Sequence, residues 1–369
     1  MFPLERVYVE PALENHYVVQ RIRQNLSHLP WTRIGDLDEL IQELHSYQQD
    51  YLGAGKRILL IRSYKGRLVK ECPGTRGHIC CGYKVINLMT NWPMDCTYCI
   101  LQAYLDNPFL NLYPELNKIL CEIEELLNTY PYRFIRCGTG ELGDSLAFDE
   151  IIHFSAEAVP FFANTRNGIL ELKTKNSRVD HLLTLEHKER TVVSWSLNSP
   201  VIAEEERMAA PLIERLRAAR LCQEMGYLLG FHFDPLVHYP GWEEDYRTTV
   251  DLLFQYIDPR RVLWVSLGGL RYPPYLKHVA QERFPFTRIF SGELVQGEDG
   301  KFRYFKPIRV EMYKKMRSWL QAHEKDLFIY LCMERNDVWQ QSFGWCPKDT
   351  EGLNRMFEER IARFLRKKL

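Results

Sequence analysis

The sequence has no net charge, no long apolar run and no N-terminal segment that resembles a secretory signal peptide. Its 48 Lys and Arg residues balance its 48 Asp and Glu residues, so overall charge gives no nucleic-acid footprint and any DNA contact needs a local basic patch. No apolar stretch approaches the roughly 18 residues of a membrane span. The first residues do not have the shape of a secretory signal. These absences predict a cytoplasmic protein that does not enter a membrane.

Cysteine, by contrast, is plentiful, with ten residues in 369. Because cytosolic thiols stay reduced, we expect metal ligation or buried thiols rather than a disulfide framework. Cys96 and Cys99 stand in C-x-x-C spacing, which can present two sulfurs to one metal ion or iron–sulfur cluster. Cys72, Cys80 and Cys81 lie upstream in a spacing that is poor for zinc, and buried structural thiols are the simpler interpretation.

Apolar strands alternate with amphipathic helices through the middle of the chain. The predicted strands are 84–89, 133–137, 169–174, 191–197, 228–233 and 262–267. The predicted helices are 115–128, 148–162, 178–186, 203–225 and 243–257. This order indicates βαβ units and a parallel sheet. The pattern alone fits either a partial (β/α)6 barrel or a doubly wound sheet.

Two further regions flank this alternation. Residues 1–83 are predicted to form an N-terminal α/β extension with strands at 7–10 and 56–62 and helices at 12–26 and 34–51. Residues 84–270 form the barrel. Residues 271–369 form a C-terminal α+β extension with a loop and helix at 271–284, a hairpin at 293–300, a helix at 311–323, a strand at 327–333 and a helix at 354–368.

Small and polar residues follow the predicted strands. In parallel barrels the chemistry lies at the carboxyl ends of the strands. The second strand ends in Gly138-Thr-Gly-Glu141, where glycines let the backbone approach a ligand and a carboxylate can accept from an ammonium group. A tight turn is the alternative, but the position after the second strand favours a binding role.

Several segments resemble the spore photoproduct lyase family of radical S-adenosylmethionine (SAM) enzymes. They are the cysteine loop 87–102, the start 7–13, Thr174-Lys175 with Val179-Asp-His-Leu-Leu183, Ser196-Leu-Asn198 and Gly241-Trp-Glu-Glu-Asp-Tyr246. The resemblance runs from Val7 through the sixth strand and weakens after Gly268. It implies a partial (β/α)6 TIM-like barrel, a [4Fe–4S] cluster, SAM, and an electron donor such as flavodoxin or ferredoxin. The implied activity is thymine-dimer repair in DNA by a 5′-deoxyadenosyl radical.

The resemblance also implies roles for individual residues. The cluster ligands would be Cys96 and Cys99. The cofactor would contact Tyr98, Gly138, Gly140, Glu141, Lys175, Ser196 and Asn198. Cys137 and Tyr98 would be catalytic. A basic and aromatic surface made by Arg271, Tyr272, Tyr275 and Lys277 would contact DNA, because Arg and Lys neutralise phosphates and Tyr stacks on bases. The alternative for this last set is a proline-braced surface loop.

Three positions depart from the family pattern. Trp92 stands where the first cluster cysteine belongs, Gly138 stands at the hydrogen-donating cysteine, and Ile100 replaces a tyrosine. Indole cannot ligate iron, because its polar group is only an N–H donor.

Three interpretations of Trp92 follow. In the first, Cys80 or Cys81 supplies the third thiolate, although the strand after Cys81 would separate it from the barrel mouth by roughly 20 Å. In the second, the chain is a non-catalytic DNA- or protein-binding relative without a stable cluster. In the third, Trp92 is an introduced substitution. A radical SAM enzyme with another substrate is the nearest rival function.

Overall fold

An eight-stranded and a five-stranded sheet organise the chain, whose computed structural model describes residues 2–47, 49–75 and 77–366. The first elements are β1 (Arg6–Val9), α1 (Tyr17–Asn25), β2 (Trp31–Arg33), α2 (Leu37–Tyr47), α3 (Tyr51–Gly55) and β3 (Ile58–Ile61). They are followed by β4 (Val69–Glu71), β5 (Lys84–Ile86), β6 (Met89–Thr90), β7 (Asp95–Cys96) and β8 (Leu110–Leu112). In the described residues no helix is long and apolar enough to cross a membrane.

The remaining elements alternate between helices and strands. The middle of the chain contains α4 (Leu116–Thr129), β9 (Ile135–Gly138), α5 (Asp149–Ile152), α6 (Phe154–Ala163), β10 (Gly168–Thr174), β11 (Thr191–Ser196), α7 (Pro200–Ala203), β12 (Glu206–Arg207), α8 (Leu212–Glu224), β13 (Leu228–Leu236), α9 (Trp242–Tyr256) and β14 (Val262–Gly269). The last part contains β15 (Arg271–Tyr272), α10 (Pro274–Arg283), β16 (Leu294–Gln296), β17 (Phe302–Tyr304), α11 (Lys306–His323), β18 (Ile329–Leu331), α12 (Asn336–Phe343) and α13 (Thr350–Arg366).

The larger sheet has the strand order β18-β14-β13-β11-β10-β9-β5-β4. Neighbouring strands from β5 to β18 are parallel, and only β4 pairs antiparallel. The six predicted barrel strands are confirmed, and β18 adds a seventh parallel strand that the chain supplies after residue 270. Side chains from β10, β13, β14 and β18 line one cavity, which requires the sheet to curl into a partial barrel.

The smaller sheet has the order β2-β1-β3-β8-β6. Its first four strands are parallel, and β6 pairs antiparallel with β8. The predicted strand 84–89 is therefore too long. It stops at Ile86, and Met89 and Thr90 pair with Leu112 and Asn111 of the smaller sheet. The segment that leads into the cysteine loop is thus held by both sheets.

Several helix boundaries also differ from the predictions. The predicted helix 178–186 contains only a short 3-10 turn, Asp180–Leu182. The helix 148–162 is broken at His153, whose φ of 61° is left-handed. The helix 203–225 begins only at Leu212, after β12 and Pro211. The predicted end of the last helix at residue 368 lies outside the described residues.

A closing segment, residues 72–75 and 77–83, connects β4 to β5 and reaches the residues that follow the other edge strand, β18. Ile79 forms an antiparallel bridge with Glu334, which follows β18. The Cys80 N–H donates to Thr350 Oγ1 over 3.1 Å, and Arg136 donates to the Cys81 carbonyl oxygen. The segment therefore folds back across the open side of the partial barrel and becomes one wall of its interior.

Candidate active site

A cavity of about 250 Å³ lies at the carboxyl ends of the barrel strands. Its walls include Glu141, Lys175, Ser196 and Arg271, which follow or end strands β9, β10, β11 and β14. These residues are far apart in sequence and meet because parallel strands bring their carboxyl ends to one edge. The cysteine loop forms another part of the wall.

The cysteine loop is held by backbone contacts. Asn91 has a left-handed φ of 76°, and its Nδ2 donates to the Pro108 carbonyl oxygen over 2.8 Å. The Cys99 N–H donates to the Cys96 carbonyl oxygen over 3.1 Å, and Gln102 Nε2 donates to the same oxygen over 3.2 Å. Both thiols line the cavity. Burial raises the pKa of Cys96 to about 11.

Trp92 occupies the wall beside these two thiols. Its indole Nε1 donates to the Glu141 carbonyl oxygen over 3.4 Å, so the ring is tied to the turn after β9. A cluster of the family type needs three thiolates, and indole offers no lone pair to iron. Among the described residues no group of three His, Cys, Asp or Glu side chains is placed to hold a metal ion. The cysteine loop therefore supplies two thiolates, and in the described residues the other thiols of the cavity wall, those of Cys72, Cys80, Cys81 and Cys332, are not grouped with them into a three-thiolate set.

Lys175 lies in a buried ionic network. Its Nζ is 2.8 Å from Glu206 Oε1, 2.6 Å from the Tyr98 hydroxyl and 3.7 Å from Cys96 Sγ. Arg215 Nη2 is 2.7 Å from the other oxygen of Glu206. Burial alone would raise the pKa of Glu206, but Lys175 and Arg215 outweigh it and lower the pKa to about 2. Two cations on one carboxylate leave one net positive charge at the cavity wall.

The other side chains predicted to bind the cofactor differ in how they lie relative to the cavity. Ser196 lines the cavity directly. Asn198 is buried behind the wall, where its Nδ2 is 3.4 Å from Glu206 Oε1 and 3.1 Å from the Pro235 carbonyl oxygen. Glu141 forms an ion pair with Lys173 at 3.5 Å. Their roles toward a cofactor remain predictions.

Neighbouring residues lie so close to the two glycines of the Gly-Thr-Gly-Glu turn that neither position has room for a Cβ atom. A Cβ on Gly138 would lie 1.9 Å from the Tyr83 hydroxyl and 2.2 Å from the Glu171 carbonyl oxygen. A Cβ on Gly140 would lie 2.4 Å from the Cβ of Lys173. No side chain fits at either position without movement of the neighbouring strand. Tyr83 thus fills the space that a side chain at position 138 would take.

Cys137 does not reach the cavity, which corrects its prediction as a catalytic residue. Successive side chains of a strand point to opposite faces, and Gly138 faces Tyr83 on the cavity side. Cys137 is completely buried on the other face, and it is not part of the cavity wall. Burial raises the pKa of its thiol to about 12. Tyr98, the second residue predicted to be catalytic, does line the cavity.

The four residues predicted to contact DNA do not form one surface. Arg271 lines the cavity with its Nη2 3.5 Å from Asp234 Oδ2. Tyr272 is buried against Phe290 and Phe302, so the prediction that it stacks on a base is wrong. Tyr275 and Lys277 are exposed on α10.

Sequence reasoning missed Glu206 and misjudged the distance of Cys81 from the site. Glu206 has no recognisable motif around it and reaches Lys175 only because β12 pairs with β7. The thiols of Cys72, Cys80 and Cys81 line the same cavity as Cys96 and Cys99. The expectation that strand length separates Cys81 from the mouth is wrong, because the closing segment folds back over the cavity.

The curled parallel sheet, with its site at the strand ends, is the partial barrel of radical SAM enzymes. Two solved spore photoproduct lyase structures share the fold, each covering 89% of this chain and 99% of its own. One, a point mutant, has a TM-score of 0.80 and a sequence identity of 23%. The other, complexed with dinucleoside spore photoproduct, has a TM-score of 0.75 and a sequence identity of 22%.

Sequence comparison identifies the family itself. The family model for spore photoproduct lyase matches residues 80–331. The curated spore photoproduct lyase of Clostridium acetobutylicum is 21% identical over 216 residues, which are 58% of this chain and 64% of that protein. The match thus spans less than two thirds of that relative. The chain belongs to the spore photoproduct lyase family.

Proposed function

We propose that this protein is a SAM-binding enzyme of the spore photoproduct lyase type that acts on thymine dimers in DNA. The observation that carries the proposal is the cavity, which collects Glu141, Lys175 and Ser196 at the strand ends of a family barrel. A solved spore photoproduct lyase holds both AdoMet and dinucleoside spore photoproduct. The proposed cytoplasmic location and electron donor, a flavodoxin or ferredoxin, belong with this function.

The electrostatics of the wall support the cofactor part of the proposal. Lys175, Arg215 and Glu206 carry one net positive charge, and Lys175 is the member that lines the cavity. An ammonium group suits the methionyl carboxylate of SAM. Glu141, at the next strand end, offers an acceptor for the methionyl amino group. The methionyl carboxylate and amino groups of SAM would therefore each meet a side chain of the opposite charge.

Trp92 favours a second candidate, a non-catalytic relative that binds DNA or a protein and lacks a stable cluster. The family chemistry would require a [4Fe–4S] cluster that reduces the sulfonium of SAM, and the cysteine loop of this chain presents two of the three thiolates. A radical SAM enzyme with a different substrate is the other alternative. The binding surfaces of the cavity are compatible with all three.

An anaerobic reconstitution experiment separates these functions. We would measure iron per chain, binding of dinucleoside spore photoproduct, and 5′-deoxyadenosine formed from SAM with a chemical reductant. Iron, binding and 5′-deoxyadenosine together would support the repair enzyme. Binding without iron or 5′-deoxyadenosine would support the non-catalytic relative. Iron and 5′-deoxyadenosine without binding would indicate another substrate. The absence of all three would reject both enzymes and the DNA-binding relative, and would leave a protein-binding relative.

Lys277 is expected to contribute a phosphate contact if the protein binds duplex DNA. Replacing it with alanine should reduce the slope of log affinity against log salt by about 0.9, the value for one neutralised phosphate. Arg271→Ala should weaken binding of dimer-containing duplex more than undamaged duplex, since Arg271 lines the cavity. Lys314→Ala, at an exposed lysine of α11, is the matched control and should leave the slope unchanged. Equal, negligible binding by all proteins would remove DNA from the proposal.

A further inference from the structure

A buried acid–base pair forms part of the cavity wall on strands β10 and β13. Glu171 Oε1 accepts hydrogen bonds from His232 Nε2 at 2.9 Å, Ser194 Oγ at 2.5 Å and Trp264 Nε1 at 3.0 Å. The donors come from three different strands of the barrel. Both Glu171 and His232 line the cavity. Neither belongs to a motif by which the family was recognised.

The Glu171 side chain of this pair is ionised. Burial alone would raise the pKa of Glu171, but the adjacent His232 imidazole and the Ser194 hydroxyl outweigh it and lower the pKa to about 2. Glu171 is therefore a carboxylate at neutral pH and can only accept hydrogen bonds. An ionised carboxylate cannot donate, so the Nε2 atom of His232 carries the proton that Glu171 accepts. In the neutral tautomer of the ring that this contact selects, the lone pair is on Nδ1.

Nδ1 of His232 is available to a ligand. The hydrogen bond of this side chain in the described part of the structure is the one from Nε2 to Glu171. Its side chain is 10% exposed, and it forms part of the cavity wall. A buried imidazole fixed by a carboxylate on one side, with an unpartnered nitrogen on the other, is a preorganised hydrogen-bond acceptor.

The rest of the wall indicates what kind of group it accepts. Tyr83, Tyr98, Tyr330 and Trp92 supply aromatic surface, and the Lys173 ammonium supplies a donor. The imide of a thymine base has an N–H between two carbonyl oxygens, on a planar ring that packs against aromatic side chains. An acceptor accompanied by donors and aromatic rings suits this group. Neutral cytosine has no proton on its ring N3, so the lone pair of N3 would face the lone pair of His232 Nδ1.

We propose that His232, oriented by Glu171, binds the substrate by accepting a hydrogen bond from the imide N–H of a thymine base. This assignment rests on the proposed function, because it takes the ligand to be a thymine dimer. It makes His232 a substrate-binding residue and Glu171 a positioning residue. It also assigns a role to two polar residues of the barrel interior that lie outside the predicted cofactor site.

The test compares dinucleoside spore photoproduct with its analogue methylated at both imide nitrogens, by calorimetric titration. The unaltered protein should bind the methylated analogue about three- to tenfold more weakly, as expected for one lost hydrogen bond. His232→Leu removes both ring nitrogens, while Glu171 keeps its hydrogen bonds from Ser194 and Trp264. It should bind the parent compound about three- to tenfold more weakly and distinguish poorly between the two compounds.

The controls separate this inference from the proposed function. His238→Gln alters a histidine that follows β13 outside this cavity and should preserve the preference. If the unaltered protein binds both compounds equally, or if His232→Leu keeps the full preference, the inference fails while the proposed function stands. If the parent compound does not bind at all, the proposed function fails and the inference fails with it. Equal binding of the two compounds by the unaltered protein overturns the inference even if a variant does not fold.

Discussion

Replacing Trp92 with cysteine is expected to raise iron after anaerobic reconstitution toward about four atoms per chain, the content of one [4Fe–4S] cluster. The substitution completes the Cys-x3-Cys-x2-Cys pattern with Cys96 and Cys99. Trp92 already lines the cavity beside those thiols, so a thiolate at this position joins an existing pair. Iron and sulfide analyses, together with visible absorption, measure the result.

Trp92→Phe is the matched control for this substitution. It removes the indole N–H that donates to Glu141 but adds no ligand, so its iron content should equal that of the unaltered protein. A full four-iron cluster held equally tightly by the unaltered protein would contradict the prediction. The third thiolate would then have to come from another cavity thiol, and the candidates are Cys72, Cys80 and Cys81 on the closing segment and Cys332 after β18. Serine replacements of these four would identify it.

The barrel strands could be predicted because most are rich in apolar and β-branched residues, are bounded by small or polar residues and alternate with amphipathic helices. The burial of every residue of β11 and β14 explains that signal. Elements that depend on distant partners could not be predicted. The sequence pattern predicts a helix over 203–225, yet Glu206 and Arg207 form β12 because they pair with Cys96 and Asp95. Nothing local distinguishes such a pairing from a helical turn.

The same distinction, between local sequence patterns and contacts with distant partners, explains which site residues could be predicted. Glu141, Lys175 and Ser196 could be predicted because each follows a strand, and parallel strands align their ends. Glu206 and the closing segment reach the cavity through loops, which sequence periodicity does not describe. Cys137 shows a different error, since a shift of one residue along a strand moves a side chain to the opposite face. Gly138 is the position of β9 that faces the interior.

Glu206→Gln is expected to destabilise the protein by about 3–5 kcal/mol, the usual cost of removing one partner from a buried ion pair. The side chains of Lys175, Glu206 and Arg215 are 7%, 1% and 2% exposed. Without the carboxylate, two buried cations would lie near each other with little water to screen them. Urea unfolding at neutral pH measures the loss. Glu204→Gln, two residues away and exposed, should change stability by less than about 0.5 kcal/mol.

Acid should remove the same stabilisation from the unaltered protein. The folded-state pKa of Glu206 is lowered from 4.5 to about 2, so its contribution is complete above pH 4.5 and is lost as the pH falls toward 2. Glu171, whose pKa is also about 2, titrates in both proteins and cancels in their difference. The stability gap between the unaltered protein and Glu206→Gln should therefore narrow across this interval. A gap that is constant with pH, or absent at pH 7, would show that the network does not hold Lys175 in place electrostatically.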